Sequence, residues 1–171
     1  MTIPVSDPST DELAAMLRAG ATGHVPTEAA VELIIRHGGW PPRLLANGHV
    51  DTWPATHDQP AMASVDWDAV ADRLADHGAQ GPAASSSERA ILAVATSLAG
   101  RHDINLGDLL PRLDATNAGL VAGAVGHACN SGIRVAIHRP PPAPSIHDLL
   151  TRTTSPQPSP PETTRRGGLR P

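Results

Sequence analysis

Four side chains able to bind a cation stand within ten residues of one another: His49, Asp51, His57 and Asp58. Imidazole nitrogens and carboxylate oxygens are the ligands of zinc and related divalent ions, and a hydrolytic centre needs several of them converging around an open position. The spacing, His-x-Asp followed six residues later by His-Asp, is no recognised ligand pattern, and Trp53-Pro54 between the pairs does not suggest a ligand loop. The four are therefore read as solvated loop side chains. A small metal-dependent hydrolase built on them ranks third among the functional readings, and no cofactor is implied.

Cys129 with His127 offers a nucleophile and a base, but on a helix residues i and i+2 point about 200° apart, so they cannot face one another. Cys129 adjoins an apolar stripe and reads as a buried thiol. Gly119, Gly123 and Gly126 are harder to dismiss, because each interior helix glycine costs about 1 kcal/mol relative to alanine. They read as a packing face, with another helix passing close to Gly123. A self-association face, and hence a homodimer, is the sharper alternative. The glycines lie within a helical pattern rather than between a strand and a helix start, which argues against a phosphate loop. Trp40, Trp53 and Trp67 read first as core or rim packing; Trp40 and Trp53 flank an irregular stretch in which a partly exposed indole would, as the sharper alternative, serve as a binding hot spot. Helices at 27–37 and 41–46 suggest helix-turn-helix geometry, but the second opens with two prolines and offers only Arg43 to DNA.

These residues are positioned by helices. Ser9 and Glu12 form a capping-box pattern ahead of Leu13, Met16 and Leu17, with Gly20 at the expected stop. Thr27 caps a helix carrying Val31, Ile34 and Ile35 that ends at Gly38-Gly39. Pro41 and Pro42 open a brief helical turn, and residues 49–63 read as a loop. Ser64 or Asp66 starts a helix bearing Trp67, Val70, Ala71 and Leu74. Ser85 to Glu88 is a second capping box, followed by Ile91, Leu92, Ala95 and Leu98 at helical spacing. Leu106, Leu109 and Leu110 fit one short turn stopped near Pro111. Asp114 caps a last helix with Leu120, Val121, Ala124 and Val125 on one stripe.

The spacing thus predicts helices near 10–19, 27–37, 66–77, 87–99 and 115–129. The fold class is all-α, a small bundle of five to seven helices, with the pair over 85–129 at the centre of the core. Ile91, Leu98, Leu120, Val121 and Val125 are expected to be largely buried. Ile133, Val135 and Ile137 alternate as in a strand without an evident partner. The organisation is a flexible start over 1–9, a helical domain over 10–138 and a disordered Pro/Ser/Thr-rich tail over 139–171. A helix ending in His37-Gly38-Gly39-Trp40, then Val65-Asp66-Trp67, the Ser-capped helix and the helix from Leu113-Asp114 to Ala128 together resemble small uncharacterised all-α proteins of high-GC actinobacteria. That resemblance covers residues 27–130. It implies an all-α fold and carries no activity.

Composition narrows the function classes. The chain has no Phe or Tyr, three Trp, one Cys and 13 basic residues, all of them Arg. Residues 1–133 carry 7 Arg against 15 carboxylates, a net charge of −8, whereas residues 134–171 carry 6 Arg against two, or +4. An acidic body is a poor surface for nucleic acid, so phosphate binding of that kind falls to the tail, and a nucleic-acid accessory factor is the second reading. No signal segment or long apolar run is present, which points to a cytoplasmic protein off the membrane. The favoured reading is a non-catalytic interaction protein. Its helical body docks an unknown protein partner and its tail recruits through Ile146, Leu149 and Leu150, spaced i, i+3, i+4.

Overall fold

The computed structural model describes residues 8–76, 84–100 and 102–129. Among them the chain forms seven α-helices, a turn of 3₁₀ helix and a two-stranded antiparallel sheet. The expected strand at 133–138 and the tail from 139 lie outside the described residues, as does the start of the chain.

Helix α1 (Thr10–Ala21) begins at the predicted capping box: the Ser9 N–H donates to Glu12 Oε2 at 2.8 Å while the Glu12 N–H donates to Ser9 Oγ at 3.3 Å. Leu13, Leu17 and Ala21, spaced by four, bury one face. Helix α2 (Val25–His37) starts two residues before the predicted Thr27 cap, because His24 Nδ1 accepts the Thr27 N–H and serves as N-cap itself. Glu32 ties the two helices together, receiving Arg18 Nε at 3.0 Å and Arg36 Nε at 2.8 Å. Gly38, at φ +80°, turns the chain out of α2 into α3 (Trp40–Ala46), whose first turn accommodates both prolines.

Residues 49–63 are not simply a loop. Strand β1 (Val50–Trp53) pairs with β2 (Met62–Val65), with Val50 opposite Val65 and Trp53 opposite Met62. The sequence hid this hairpin because β1 buries only Val50, so it lacks the alternation that marks a strand. An isolated hairpin would be marginal. This one is held by α1, which packs on β2 at Gly20. A Cβ there would run into the Ala63 carbonyl oxygen, so Gly20 is a contact glycine, while α1 continues one residue past it.

Helix α4 (Trp67–Ala75) is capped by Asp66, one of the two caps the sequence allowed, and α5 (Ser86–Leu98) by the Ser85–Glu88 box, as the sequence indicated. The short α6 (Leu106–Leu109) runs into the 3₁₀ turn Leu110–Arg112, and Asp114 caps α7 (Ala115–Ala128). No described helix is long and apolar enough to cross a membrane.

The core is centred on α2 rather than on the α5–α7 pair. Ala29, Ala30, Val31, Leu33 and Ile34 of α2 are buried because α1, α3, α5 and α7 all pack against it. Ile91 and Val121 are buried as expected, but Leu98 and Leu120 sit partly buried at the margin and Val125 is 44% exposed. The apolar stripe of α7 is wider than the face it presents inward: Asn117, Val121 and Ala124 point to α2 and α5, and Val125 lies past the edge. Cys129, one turn beyond Val125, is likewise exposed rather than buried.

Nor, among the described residues, does another helix pass close to Gly123. A Cβ at that position meets nothing within 4 Å among the described residues. Gly20 and Gly123 should therefore respond oppositely to alanine. Gly20→Ala should lower unfolding free energy by about 1–3 kcal/mol through overpacking against Ala63. Gly123→Ala should raise it by up to about 1 kcal/mol through helix propensity. Urea unfolding monitored by circular dichroism compares the two directly.

Candidate functional site

Trp40 does not flank the surface as a hot spot. It is 2% exposed, and its indole N–H, which must find an acceptor once buried, donates to the Glu88 carbonyl at 3.1 Å in the first turn of α5. The Arg43 guanidinium lies 5.4 Å from the ring centroid and pairs with Glu88 Oε1 at 3.1 Å. The His37 ring centroid stands 6.3 Å from that of Trp40. The Glu88 carboxyl is held below the ordinary carboxylate value chiefly by the Ser85 backbone and side chain, with Arg43 adding to this.

One residue before Glu88, Ser87 joins the starts of α5 and α7. Its Oγ donates to Asp114 Oδ2 at 2.9 Å and accepts from Asn117 Nδ2 at 2.8 Å and from the Asp114 N–H at 3.2 Å. One hydroxyl has one proton and two lone pairs, and all three are engaged. Ser87 is thus a staple between helix termini, with no free lone pair to act as a nucleophile. Asp114 in turn accepts from the Thr116 and Asn117 N–H groups, and Asn117 is 8% exposed with its amide satisfied. The Asn117 backbone bond, followed by Ser87, draws the Asp114 carboxyl below its usual range.

The other predicted site residues are dispersed. His49 is half-buried where the chain enters β1, Asp51 is exposed on β1, and His57 and Asp58 are exposed in the turn of the hairpin. Among the described residues no group of three His, Cys, Asp or Glu side chains comes together in a way that could hold a metal. His127 reaches Glu28 Oε2 at 3.6 Å, linking α7 to α2. Trp53 is 49% exposed at the end of β1. Ile146, Leu149 and Leu150 lie outside the described residues.

A cleft of about 490 Å³ between α4, α5 and the segment 102–112 was not anticipated. Arg73, Arg89 and Arg112 line it together with His102 and three carboxylates, Asp76, Asp103 and Asp108. These arginines come from three elements far apart in sequence, and each read alone is an ordinary solvated helix residue.

No protein-family model matches the chain, and no curated protein or solved structure is significantly similar to it.

Two outcomes follow from this wiring. Ser87→Ala and Asp114→Ala should each cost about 1–2 kcal/mol in urea unfolding, and the double variant should cost less than their sum because both break one network. The second outcome concerns His37, whose imidazole is pushed below its ordinary 6.5 mainly by burial, with Arg43 acting the same way against Glu88 and Asp114. Between the folded and unfolded values the unfolded chain binds more protons, so stability falls as pH drops below about 6.5. The lowered Glu88 and Asp114 add their loss only at more acidic pH, as they protonate. Melting temperature measured from pH 7.5 to 5.5 should decline in the wild type and decline less in His37→Gln.

Proposed function

We propose that this chain is a non-catalytic interaction protein of the cytoplasm, with a protein partner that docks on the β1–β2 hairpin. The observation that carries this reading is Trp53. Of the three tryptophans, Trp40 and Trp67 are buried in the core, while Trp53 stands half in solvent. In a chain without Phe or Tyr, leaving one of its few large aromatic side chains outside the core forgoes substantial apolar burial. Tryptophan is also among the residues most enriched in binding hot spots.

The presentation is suited to docking. Pro54 follows the indole directly, and the Thr56 N–H bonds to the Gln59 carbonyl at 2.8 Å to close the turn, so the aromatic is offered from a braced hairpin. The exposed Asp51 and Asp58 beside it favour a partner surface with an apolar slot and a basic rim. Ile146, Leu149 and Leu150 of the tail supply a second contact in this reading, on the strength of their helical spacing.

Affinity capture from native lysate, quantified for wild type and Trp53→Ala, tests the proposal. Because Trp53 is exposed, its truncation should change stability by no more than about 0.5 kcal/mol. The captured partner should be lost from Trp53→Ala and retained by His57→Ala, and capture should survive raised salt. Capture that is indifferent to Trp53→Ala but falls steeply with ionic strength would instead favour nucleic-acid association through the tail arginines.

A further inference from the structure

The cleft between α4, α5 and the 102–112 segment has a charge arrangement that folding does not require. Six arginines are described. Arg18 and Arg36 share Glu32, and Arg43 pairs with Glu88. The remaining three, Arg73 in the last turn of α4, Arg89 in the first turn of α5 and Arg112 in the 3₁₀ turn, all line the cleft. None of their guanidinium groups makes an ion pair or hydrogen bond among the described residues. The body carries 15 carboxylates for 7 arginines, so acceptors are plentiful. Asp76, Asp103 and Asp108 line the same cavity, yet none of them lies within ion-pair distance of the three guanidiniums gathered there.

We propose that this cleft binds a small phosphorylated molecule, a sugar phosphate or nucleotide, through Arg73, Arg89 and Arg112. Guanidinium donors form a planar fork that matches phosphate oxygens, and three of them arriving from separate elements suit a tetrahedral dianion with several terminal oxygens better than a planar carboxylate with two. The cleft's volume lies in the range of small-molecule sites. Asp76, Asp103 and Asp108, which also line the cleft, repel a bare phosphate but accept hydrogen bonds from hydroxyl or amino groups, so the ligand carries such donors on its body. Leu74, Ala90 and Leu109 give that body an apolar floor. This site is separate from the Trp53 hairpin, and neither reading depends on the other.

Isothermal titration of the full chain at fixed ionic strength, with ribose 5-phosphate, adenosine monophosphate, inorganic phosphate and ribose as probes, tests it. At least one of the two organic phosphates should bind saturably and more tightly than inorganic phosphate, and ribose should not bind. Arg89→Gln and Arg112→Gln should each weaken binding about tenfold, the loss of one charge-assisted contact, whereas Arg36→Gln should leave it unchanged. Circular dichroism confirms that each variant is folded, and Arg73→Gln replaces any that is not. Absence of saturable binding for both organic phosphates up to millimolar concentration would overturn the proposal. So would binding retained in the Arg89 and Arg112 variants, or inorganic phosphate equalling the organic probes.

Discussion

A core built without Phe or Tyr must gain its density by bringing backbones close together, and the rest of this fold follows from that constraint. Interiors pack to a uniform density whatever their composition. Here the interior is lined by Ala21, Ala29, Ala30, Ala63, Ala90 and Ala95 between larger Leu, Ile and Val side chains. Small residues shorten the distance between elements, and the extreme case is Gly20, where α1 lies against the β2 backbone itself. The same contact explains why so short a hairpin persists: Ala63 and Val65 are buried under α1 while the outer strand stays in solvent. A helix surrounded by neighbours needs small residues on several sides, and α2, with adjacent alanines at 29 and 30, is the helix that has them.

Large polar-edged groups enter such a core only with their partners supplied. Trp40 is buried because the carbonyl of Glu88 meets its N–H, and Glu88 meanwhile caps α5 with its carboxylate and pairs with Arg43. One residue therefore orients a helix start, satisfies a buried indole and anchors α3. Ser87, its neighbour, does the corresponding work for α7 through Asp114 and Asn117. The first turn of α5 is thus the junction at which α3, α5 and α7 are fixed to one another by hydrogen bonds, whereas α2 holds the same helices by apolar contact.

This division decides what was legible in the sequence. Four of the five longer helices were readable because their caps are local: Ser9 with Glu12, Ser85 with Glu88, and the single caps Asp66 and Asp114 all act within four residues. Helix α2 was readable from its apolar spacing and is capped by His24 rather than Thr27. What depends on distant contact was not. The wide apolar face of α2 and the narrower inward face of α7 follow from how many neighbours each has, so Val125 and Cys129 were assigned to the interior. Gly20 reads in the sequence as a helix stop and Gly123 as an interior packing glycine, yet the contact belongs to Gly20. The neighbour decides it, a β-strand carbonyl in one case and open space in the other. The hairpin escaped notice because α1, 40 residues upstream, replaces the burial that alternation would have advertised.

The cleft arginines mark the limit of the local view most clearly. Arg73 lies in the last turn of α4, where a cation is favoured by the helix dipole, and alone needs no further explanation. Arg89, in contrast, sits in the first turn of α5, the positive end of that dipole, where arginine is the disfavoured sign. The adjacent Glu88 does not neutralise it, being committed to Ser85 and Arg43. A cation placed against the dipole, beside a carboxylate already engaged, is held there at some cost to the helix. That cost, together with two further guanidiniums around the same space that the cleft's own aspartates do not pair, is the arrangement on which the proposed anion site rests.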